Sequence, residues 1–122
     1  MPKYFVIKYN HHTQFPSGTI VKLCANTFNN SNLVEKINTD ERIWLMDYDI
    51  YPIVNHDNYF DWSYNINYQQ LIPSDYYIYN NNQIAKLLNS NSDKWIVLDL
   101  DTNKEIQINK NFLTKANEFI PN

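Results

Sequence analysis

Hydrophobic and polar positions follow a short, strand-like alternation along most of this chain. Runs rich in β-branched and aromatic residues predict strands, and polar, Asn-rich segments predict the turns between them. The predicted strands are Lys3–Tyr9, Thr19–Cys24, Arg42–Met46, Tyr76–Tyr79, Lys94–Leu100 and Lys104–Ile108. The last two flank Asp101-Thr102-Asn103 and are predicted to form a β-hairpin. Ile50–Val54 contains Pro52, which restricts this segment to an edge or a bulge.

Three other segments carry spacing that is typical of helices. Asn32-Leu33-Val34-Glu35 resembles a capping box and predicts a short helix over residues 33–38. A second helix is predicted from Asn82, since Ile84, Leu87 and Leu88 would share one helical face. A third is predicted near the end of the chain, where a helical stripe consists of Phe112, Leu113, Ala116, Phe119 and Ile120.

These elements predict an α+β fold. We expect a single small domain over residues 1–122, with a mainly antiparallel sheet and two or three short helices. A small SH3-like or OB-like barrel with appended helices is the alternative. The residue pattern contains no evident internal repeat. The residues predicted to form the core are Ile7, Val21, Leu23, Trp95, Val97, Leu113 and Phe119.

Glycine and cysteine are scarce, which excludes several kinds of chemistry. Gly18 is the only glycine in 122 residues, whereas phosphate-binding loops need glycine for positive φ and close backbone approach. Nucleotide hydrolysis, Rossmann redox chemistry and α/β-hydrolase chemistry are therefore not expected, and no cofactor is predicted. Cys24 is the only cysteine, so an internal disulfide and a multi-cysteine zinc site are excluded. We expect Cys24 to be a buried, unreactive thiol.

Aromatic and acidic residues are concentrated in the middle of the chain. Residues 43–85 contain five aspartates and no lysine or arginine, and 11 of the 19 aromatic residues lie between Trp44 and Tyr79. Tyr and Trp provide a large contact area at low entropic cost, and aspartates favour a basic partner. We therefore predict a binding surface made of Asp57, Tyr59, Asp61, Trp62, Tyr64 and Tyr68.

We expect a non-catalytic binding protein that engages a protein with a basic surface. Nucleic acid is not the expected partner, because the acidic middle would repel a phosphate backbone. A small-molecule sponge, in which aromatic rings stack on a nucleotide-like base, is one alternative. A virion-associated structural protein is another. The alternative that involves catalysis is a small metal-dependent hydrolase, whose candidate residues are His11, His12, His56, Asp57 and Asp61. His56 and Asp61 do not have the spacing of a standard metal motif.

The amino-acid composition indicates the origin and the location of the protein. Asn, Ile, Lys, Tyr and Phe have A/T-rich codons and make up 59 of 122 residues. This composition is typical of an A/T-rich genome, such as that of a low-GC bacterium or its phage. We expect a phage or mobile-element protein in the bacterial cytoplasm whose target is a host protein, for example a defence component. No apolar run approaches the ~20 residues of a membrane span, and the N-terminus does not resemble a signal peptide. Self-association is compatible with the sequence.

Overall fold

The computed structural model describes residues 3–10, 13–53, 65–80 and 82–119. Within these residues the chain forms two five-stranded sheets in which every pairing is antiparallel. The chain divides into two compact units, Met1–Ile72 and Pro73–Ile120. The mainly antiparallel sheet that the sequence predicts is therefore confirmed. The expectation of a single domain over residues 1–122 stays a prediction.

The first unit is a strand meander closed by a short fifth strand. Its sheet order is β4-β3-β2-β1-β5. A 3-10 helix, Asp47–Asp49, leads from β4 into β5, and a four-residue helix α1, Ile66–Gln69, follows later in the chain. The strands are β1 (Tyr4–Ile7), β2 (Ile20–Asn26), β3 (Ser31–Lys36), β4 (Arg42–Met46) and β5 (Ile50–Pro52).

The second unit repeats this arrangement. Its sheet order is β10-β6-β7-β8-β9, so that its last strand again pairs with its first. A 3-10 helix, Lys110–Phe112, again precedes the last strand, and another, Ala116–Glu118, follows it. The strands are β6 (Tyr76–Tyr79), β7 (Gln83–Asn89), β8 (Lys94–Asp99), β9 (Glu105–Asn109) and β10 (Thr114–Lys115).

The two units correspond residue by residue. β3, β4, the 3-10 helix and β5 recur 63 positions later, so that Val34 corresponds to Val97. The β-bulge recurs as well: the register shifts between Leu23 and Ala25 in β2 and between Leu87 and Asn89 in β7. The described part of the chain is thus a structural repeat, although its residue pattern shows none.

The cores of the two units occupy equivalent positions. In each unit, inward-facing residues of successive strands form one apolar cluster. The first cluster contains Phe5, Ile7, Phe15, Val21, Leu23, Val34, Ile43, Leu45 and Ile50. The second contains Tyr79, Ala85, Leu87, Val97, Ile106, Ile108 and Leu113.

The predicted strands are largely confirmed, whereas the predicted helices are wrong. The segment 33–38 lies mostly in β3, and the segment from Asn82 forms β7. Both faces of β7 carry apolar residues, Ile84 on one and Leu87 on the other, and Leu88 is the extra residue at the bulge. Three apolar residues at helical spacing therefore lie in a strand. The segment 112–120 contains the end of one 3-10 helix, β10 and a second 3-10 helix instead of one long helix. The α component is therefore limited to very short helices.

Most of the predicted core is correct. Ile7, Val21 and Val97 are buried. Leu23 and Leu113 are partly buried and pack against the two clusters. Trp95 and Phe119 are also partly buried.

The prediction for Cys24 is wrong, because its side chain is exposed. Cys24 is the extra residue at the bulge of β2, so it faces away from the core against which Leu23 packs.

Candidate binding surface

Tyr68 is the one predicted binding residue that lies within the described part of the chain. Asp57, Tyr59, Asp61, Trp62 and Tyr64 lie outside the described residues. The same holds for His11, His12 and His56, so the predicted hydrolase set also lies outside them. The surface is therefore built here from Tyr68 and its neighbours in the first unit.

Tyr68 lies in α1, is half-buried, and contacts three side chains. Its hydroxyl is 3.2 Å from the hydroxyl of Tyr9, within hydrogen-bond distance. The Lys8 Nζ lies 4.2 Å from the centre of the Tyr68 ring, a cation–π geometry. The Tyr51 ring is tilted by 47° against it at a centroid distance of 5.8 Å. Tyr68 is thus held between β5 and the segment that follows β1.

Local hydrogen bonds fix the start of α1. The Asn65 side chain accepts a hydrogen bond from the N–H of Asn67 at 2.9 Å, which is N-capping geometry. The Asn65 N–H donates to the hydroxyl of Tyr51 at 2.8 Å. Because Tyr51 belongs to β5, this bond attaches the first turn of α1 to the sheet.

The segment after β1 positions Tyr9. The N–H of Lys8 donates to the carbonyl of Asp49 at 2.9 Å, which extends the pairing of β1 with β5 by one residue. Ser17 closes the loop from its other side: its hydroxyl donates to the Lys8 carbonyl at 2.9 Å, and its N–H donates to Asn10 at 2.8 Å. The loop turns at Gly18, where φ is +90° and a Cβ would lie 3.3 Å from the Leu71 carbonyl oxygen. Only glycine fits this close approach without strain.

Buried polar contacts hold the 3-10 helix that carries Tyr48. Asn32 is only 1% exposed, and its amide nitrogen donates to the Asp47 carboxylate at 2.6 Å and to the Leu45 carbonyl at 3.3 Å. The Asp49 carboxylate accepts the N–H of Met46 at 3.0 Å. Tyr48, between the two aspartates, remains 66% exposed.

The backbone hydrogen bond from Lys8 to Asp49 lies next to both Tyr9 and Tyr48 in the chain. Tyr9 follows Lys8, and Tyr48 precedes Asp49 in the 3-10 helix. Tyr9 is half-exposed and touches Tyr68. We call the three residues Tyr9, Tyr48 and Tyr68 the tyrosine patch.

The patch combines tyrosine hydroxyls with charged side chains. The hydrogen bond to Tyr68 raises the pKa of Tyr9 above its ordinary value, and the proximity of Asp49 acts in the same direction. The hydroxyl of Tyr9 therefore stays protonated at neutral pH and is able to donate as well as accept a hydrogen bond. The carboxylates of Asp47 and Asp49 lie at the 3-10 helix, and the ammonium of Lys8 covers one face of Tyr68.

Sequence reasoning missed two of these three tyrosines. Tyr48 lies within the aromatic middle of the chain, but the prediction selected residues 57–68. Tyr9 is the last residue of a predicted strand, where the pattern contains no functional signal. Only the contact between Tyr9 and Tyr68, 59 positions apart in the chain, identifies Tyr9 as part of this surface.

A second polar cluster lies in the second unit, and it is structural. The Asp99 carboxylate is 1% exposed and accepts hydrogen bonds from the hydroxyl of Tyr79 and from the N–H groups of Asp101 and Thr102. Burial pushes the pKa of Asp99 upward, but these hydrogen bonds outweigh it and hold the pKa below its usual value. The carboxylate of Asp99 thus fixes the turn between β8 and β9 to the end of β6.

The described residues contain no group of three or more His, Cys, Asp or Glu side chains placed to hold a metal ion. Across residues 3–10, 13–53, 65–80 and 82–119, no helix is long and apolar enough to cross a membrane. Comparison with known proteins gives no matching family model and no matching curated protein.

Proposed function

We propose that this chain is a non-catalytic protein-binding module whose first unit engages a partner through the tyrosine patch and the acidic segment that follows β5. The observation that carries the proposal is the exposure of Tyr9, which contacts Tyr68, and of Tyr48 in the 3-10 helix before β5. Tyrosines on a rigid support lose little entropy on binding, which makes them effective contact residues.

The charge around the patch favours a basic partner. Asp47 and Asp49 flank Tyr48, while Asp57 and Asp61 follow β5 in sequence, and residues 43–85 contain no lysine or arginine. Carboxylates at the rim of an aromatic surface accelerate encounter with a positively charged protein. The predicted set of Asp57, Tyr59, Asp61, Trp62 and Tyr64 would then extend the patch beyond Tyr68.

The proposed architecture of each unit is a small SH3-like barrel. The support is the shared strand order, in which four strands form a meander and a 3-10 helix leads into a fifth strand beside the first. This corresponds to the alternative predicted from the sequence. The proposed target is a host protein, for example a defence component, because the codon bias favours a phage or mobile-element origin.

The test compares two exposed aromatic residues on corresponding 3-10 helices. The parent chain is used to isolate a partner from the lysate of a low-GC bacterium, and the dissociation constant of the purified pair is then measured. Tyr48→Ala should weaken binding by roughly 30-fold or more, the loss of about 2 kcal/mol that is typical of a hot spot. Phe112→Ala, at a residue that is 71% exposed in the second unit, should leave affinity unchanged.

Salt dependence provides a second readout of the same complex. Affinity should fall as salt increases, because screening weakens the attraction between the acidic rim and a basic partner. Thermal melts of both variants should match the parent, since both side chains are largely exposed. Parental affinity in the Tyr48→Ala variant, together with weaker binding by Phe112→Ala, would transfer the site to the second unit and refute the proposal.

A further inference from the structure

β4 is an edge strand whose outward backbone groups are identified by its pairing with β3. Of the described strands, only β3 pairs with β4. The N–H of Lys36 donates to the Glu41 carbonyl, and the N–H of Asp47 donates to the Asn30 carbonyl, each at 3.0 Å. Hydrogen-bonded and non-hydrogen-bonded pairs alternate in antiparallel ladders. The backbone groups of Ile43 and Leu45 therefore face β3, and those of Arg42, Trp44 and Met46 face the open edge.

Asp49 blocks one end of this edge. Its carboxylate accepts the N–H of Met46 at 3.0 Å, so that donor is already used within the chain. The N–H and C=O groups of Arg42 and Trp44 remain directed outward, two residues apart. That spacing is the repeat of a β-ladder, and an open edge of this kind is a template for another strand.

The side chains of β4 favour pairing of its open edge with another strand. Trp44 is 54% exposed and lies opposite Leu33 on the outer face of the sheet. Arg42 lies on the same face, where its Nε donates to the Glu35 carboxylate at 3.1 Å. The corresponding edge of the second unit, β9, has Glu105 and Gln107 at the equivalent positions. Polar residues at an edge discourage pairing, whereas an exposed tryptophan does not.

We propose that two copies of this chain associate by antiparallel pairing of their β4 strands, with Arg42 of each copy opposite Trp44 of the other. Such a pairing has a two-fold axis, the commonest symmetry of homo-oligomers. It uses the outward N–H and C=O groups of both residues. The alternative register, centred on Trp44, would set Arg42 opposite Met46 and would need the N–H that Asp49 already occupies.

The match between a cationic side chain and an aromatic one supports a second copy of the chain as the occupant. Opposite residues of an antiparallel pair have side chains on the same face, with Cβ atoms about 4.5–5.5 Å apart. Each guanidinium would therefore lie close to the indole of the other copy, within the roughly 6 Å range of a cation–π contact. The two-fold axis makes this contact twice. Glu35 lies on the β3 side of Arg42 and holds its Nε, so the terminal nitrogens of the guanidinium would make the contact with the indole.

The interface is short, because β4 has five residues and Asp49 closes one end. We therefore expect a transient, concentration-dependent dimer of the small-interface class. Sedimentation equilibrium of the full chain between about 10 µM and about 1 mM should show monomers converting to dimers, a range that corresponds to weak association.

The decisive variant is Trp44→Gln, which introduces the residue found at the same position of β9. It should raise the dimer dissociation constant by at least about tenfold. Phe112→Ala, which removes a more exposed aromatic side chain from the second unit, should leave the dimer unchanged. A parent that stays monomeric over the whole range, or a dimer that Trp44→Gln does not weaken, would overturn the proposal.

Amide hydrogen exchange of the unmodified chain keeps the test independent of any effect of the mutation on folding. The amides of Arg42 and Trp44 should become protected as concentration rises, while those of Glu105 and Gln107 should not. Protection that appears only when another protein is added would overturn the proposal in favour of a different occupant. The dimer and the tyrosine patch are separable, because Tyr48→Ala should leave dimerisation intact and Trp44→Gln should leave partner binding intact.

Discussion

The two units have the same strand order but place their buried polar groups at opposite ends of the sheet. In the first unit, Asn32 is buried beside the 3-10 helix and bonds to Asp47. The equivalent residue of the second unit is Trp95, which packs edge-on against Tyr77 at 5.6 Å. An amide network and an aromatic contact thus occupy the same place in the two sheets.

At the opposite end of the sheet, the buried polar group belongs to the second unit and not to the first. In the second unit, Tyr79 donates to Asp99 beside the turn between β8 and β9. In the first unit the equivalent positions are Ile7, which is buried in the core, and Lys36, which forms a surface ion pair with Glu41. The comparison shows that one backbone arrangement accepts a buried polar group at either end, provided that each group is hydrogen-bonded.

The largest expected difference between the units is in the loss of stability caused by a substitution at Asp99 and at its equivalent in the first unit. Asp99→Ala would leave the buried hydroxyl of Tyr79 without its acceptor and would release two backbone N–H groups of the adjoining turn, which should cost about 3 kcal/mol of unfolding free energy. Lys36→Ala, at the equivalent position, removes an exposed ion pair and should change stability by less than about 0.5 kcal/mol. Urea denaturation of the two variants measures both values. Equal losses would show that the buried carboxylate is not the stabilising feature of the second unit.

The next largest loss of stability is expected for a substitution of Asn32. Asn32→Ala removes the donor that holds Asp47 and leaves the Leu45 carbonyl short of one partner, so about 2 kcal/mol should be lost. Asn26→Ala, on the exposed end of β2, is the matched control and should stay within about 0.5 kcal/mol. Because Asp47 precedes Tyr48, Asn32→Ala should also weaken partner binding, whereas Trp95→Ala should not. A binding loss confined to Trp95→Ala would contradict the assignment of the patch to the first unit.

Acid should affect the second unit through Asp99. Its folded-state pKa lies below the unfolded value, so the stabilisation is complete above about pH 4 and is lost as pH falls toward the folded pKa. Over that interval each pH unit removes up to about 1.4 kcal/mol. Asp99→Asn cannot titrate, so the stability gap between parent and variant should shrink as pH falls from about 5 to about 2, a range that includes the unfolded pKa near 4. Urea denaturation at several pH values measures this gap, and a constant gap would refute the linkage.

The smallest changes in stability are expected for substitutions at the bulges of β2 and β7. Cys24→Ser and Leu88→Ser both alter exposed residues at equivalent positions, and each should change stability by less than about 0.5 kcal/mol. The thiol of Cys24 should react with a disulfide reagent in the folded protein at a rate close to that of a free thiol. If the thiol reacted only after unfolding, Cys24 would be buried, as the sequence analysis predicts.

The sequence allowed most strands to be predicted, and local pattern explains why. β4 and β6 have the predicted bounds, and the hairpin of β8 and β9 was expected from two β-rich runs around a turn. The helices failed because periodicity is ambiguous over short segments. A single bulge in β7 converts strand alternation into an apparent helical face.

The candidate site was only partly predictable. Tyr68 was selected because it belongs to an aromatic and acidic segment, and composition alone supplied that signal. Tyr9 was identified by its contact with Tyr68, and Tyr48 by its exposure in the 3-10 helix before β5. No local pattern contains that information, because strand partners are chosen by the whole sheet.

The sequence by itself determined the strand-rich composition, the scarcity of glycine that excludes phosphate-binding loops, and the acidic, aromatic middle. Only the tertiary structure decided that the chain repeats one five-stranded arrangement, because equivalent positions such as Ile7 and Tyr79, or Asn32 and Trp95, share a place but not a chemistry. It also decided which polar residues are buried, since Asn32 and Asp99 resemble any surface residue until their partners surround them. The physical reason is that burial and pairing depend on contacts between distant segments, whereas a sequence pattern reports only on neighbours.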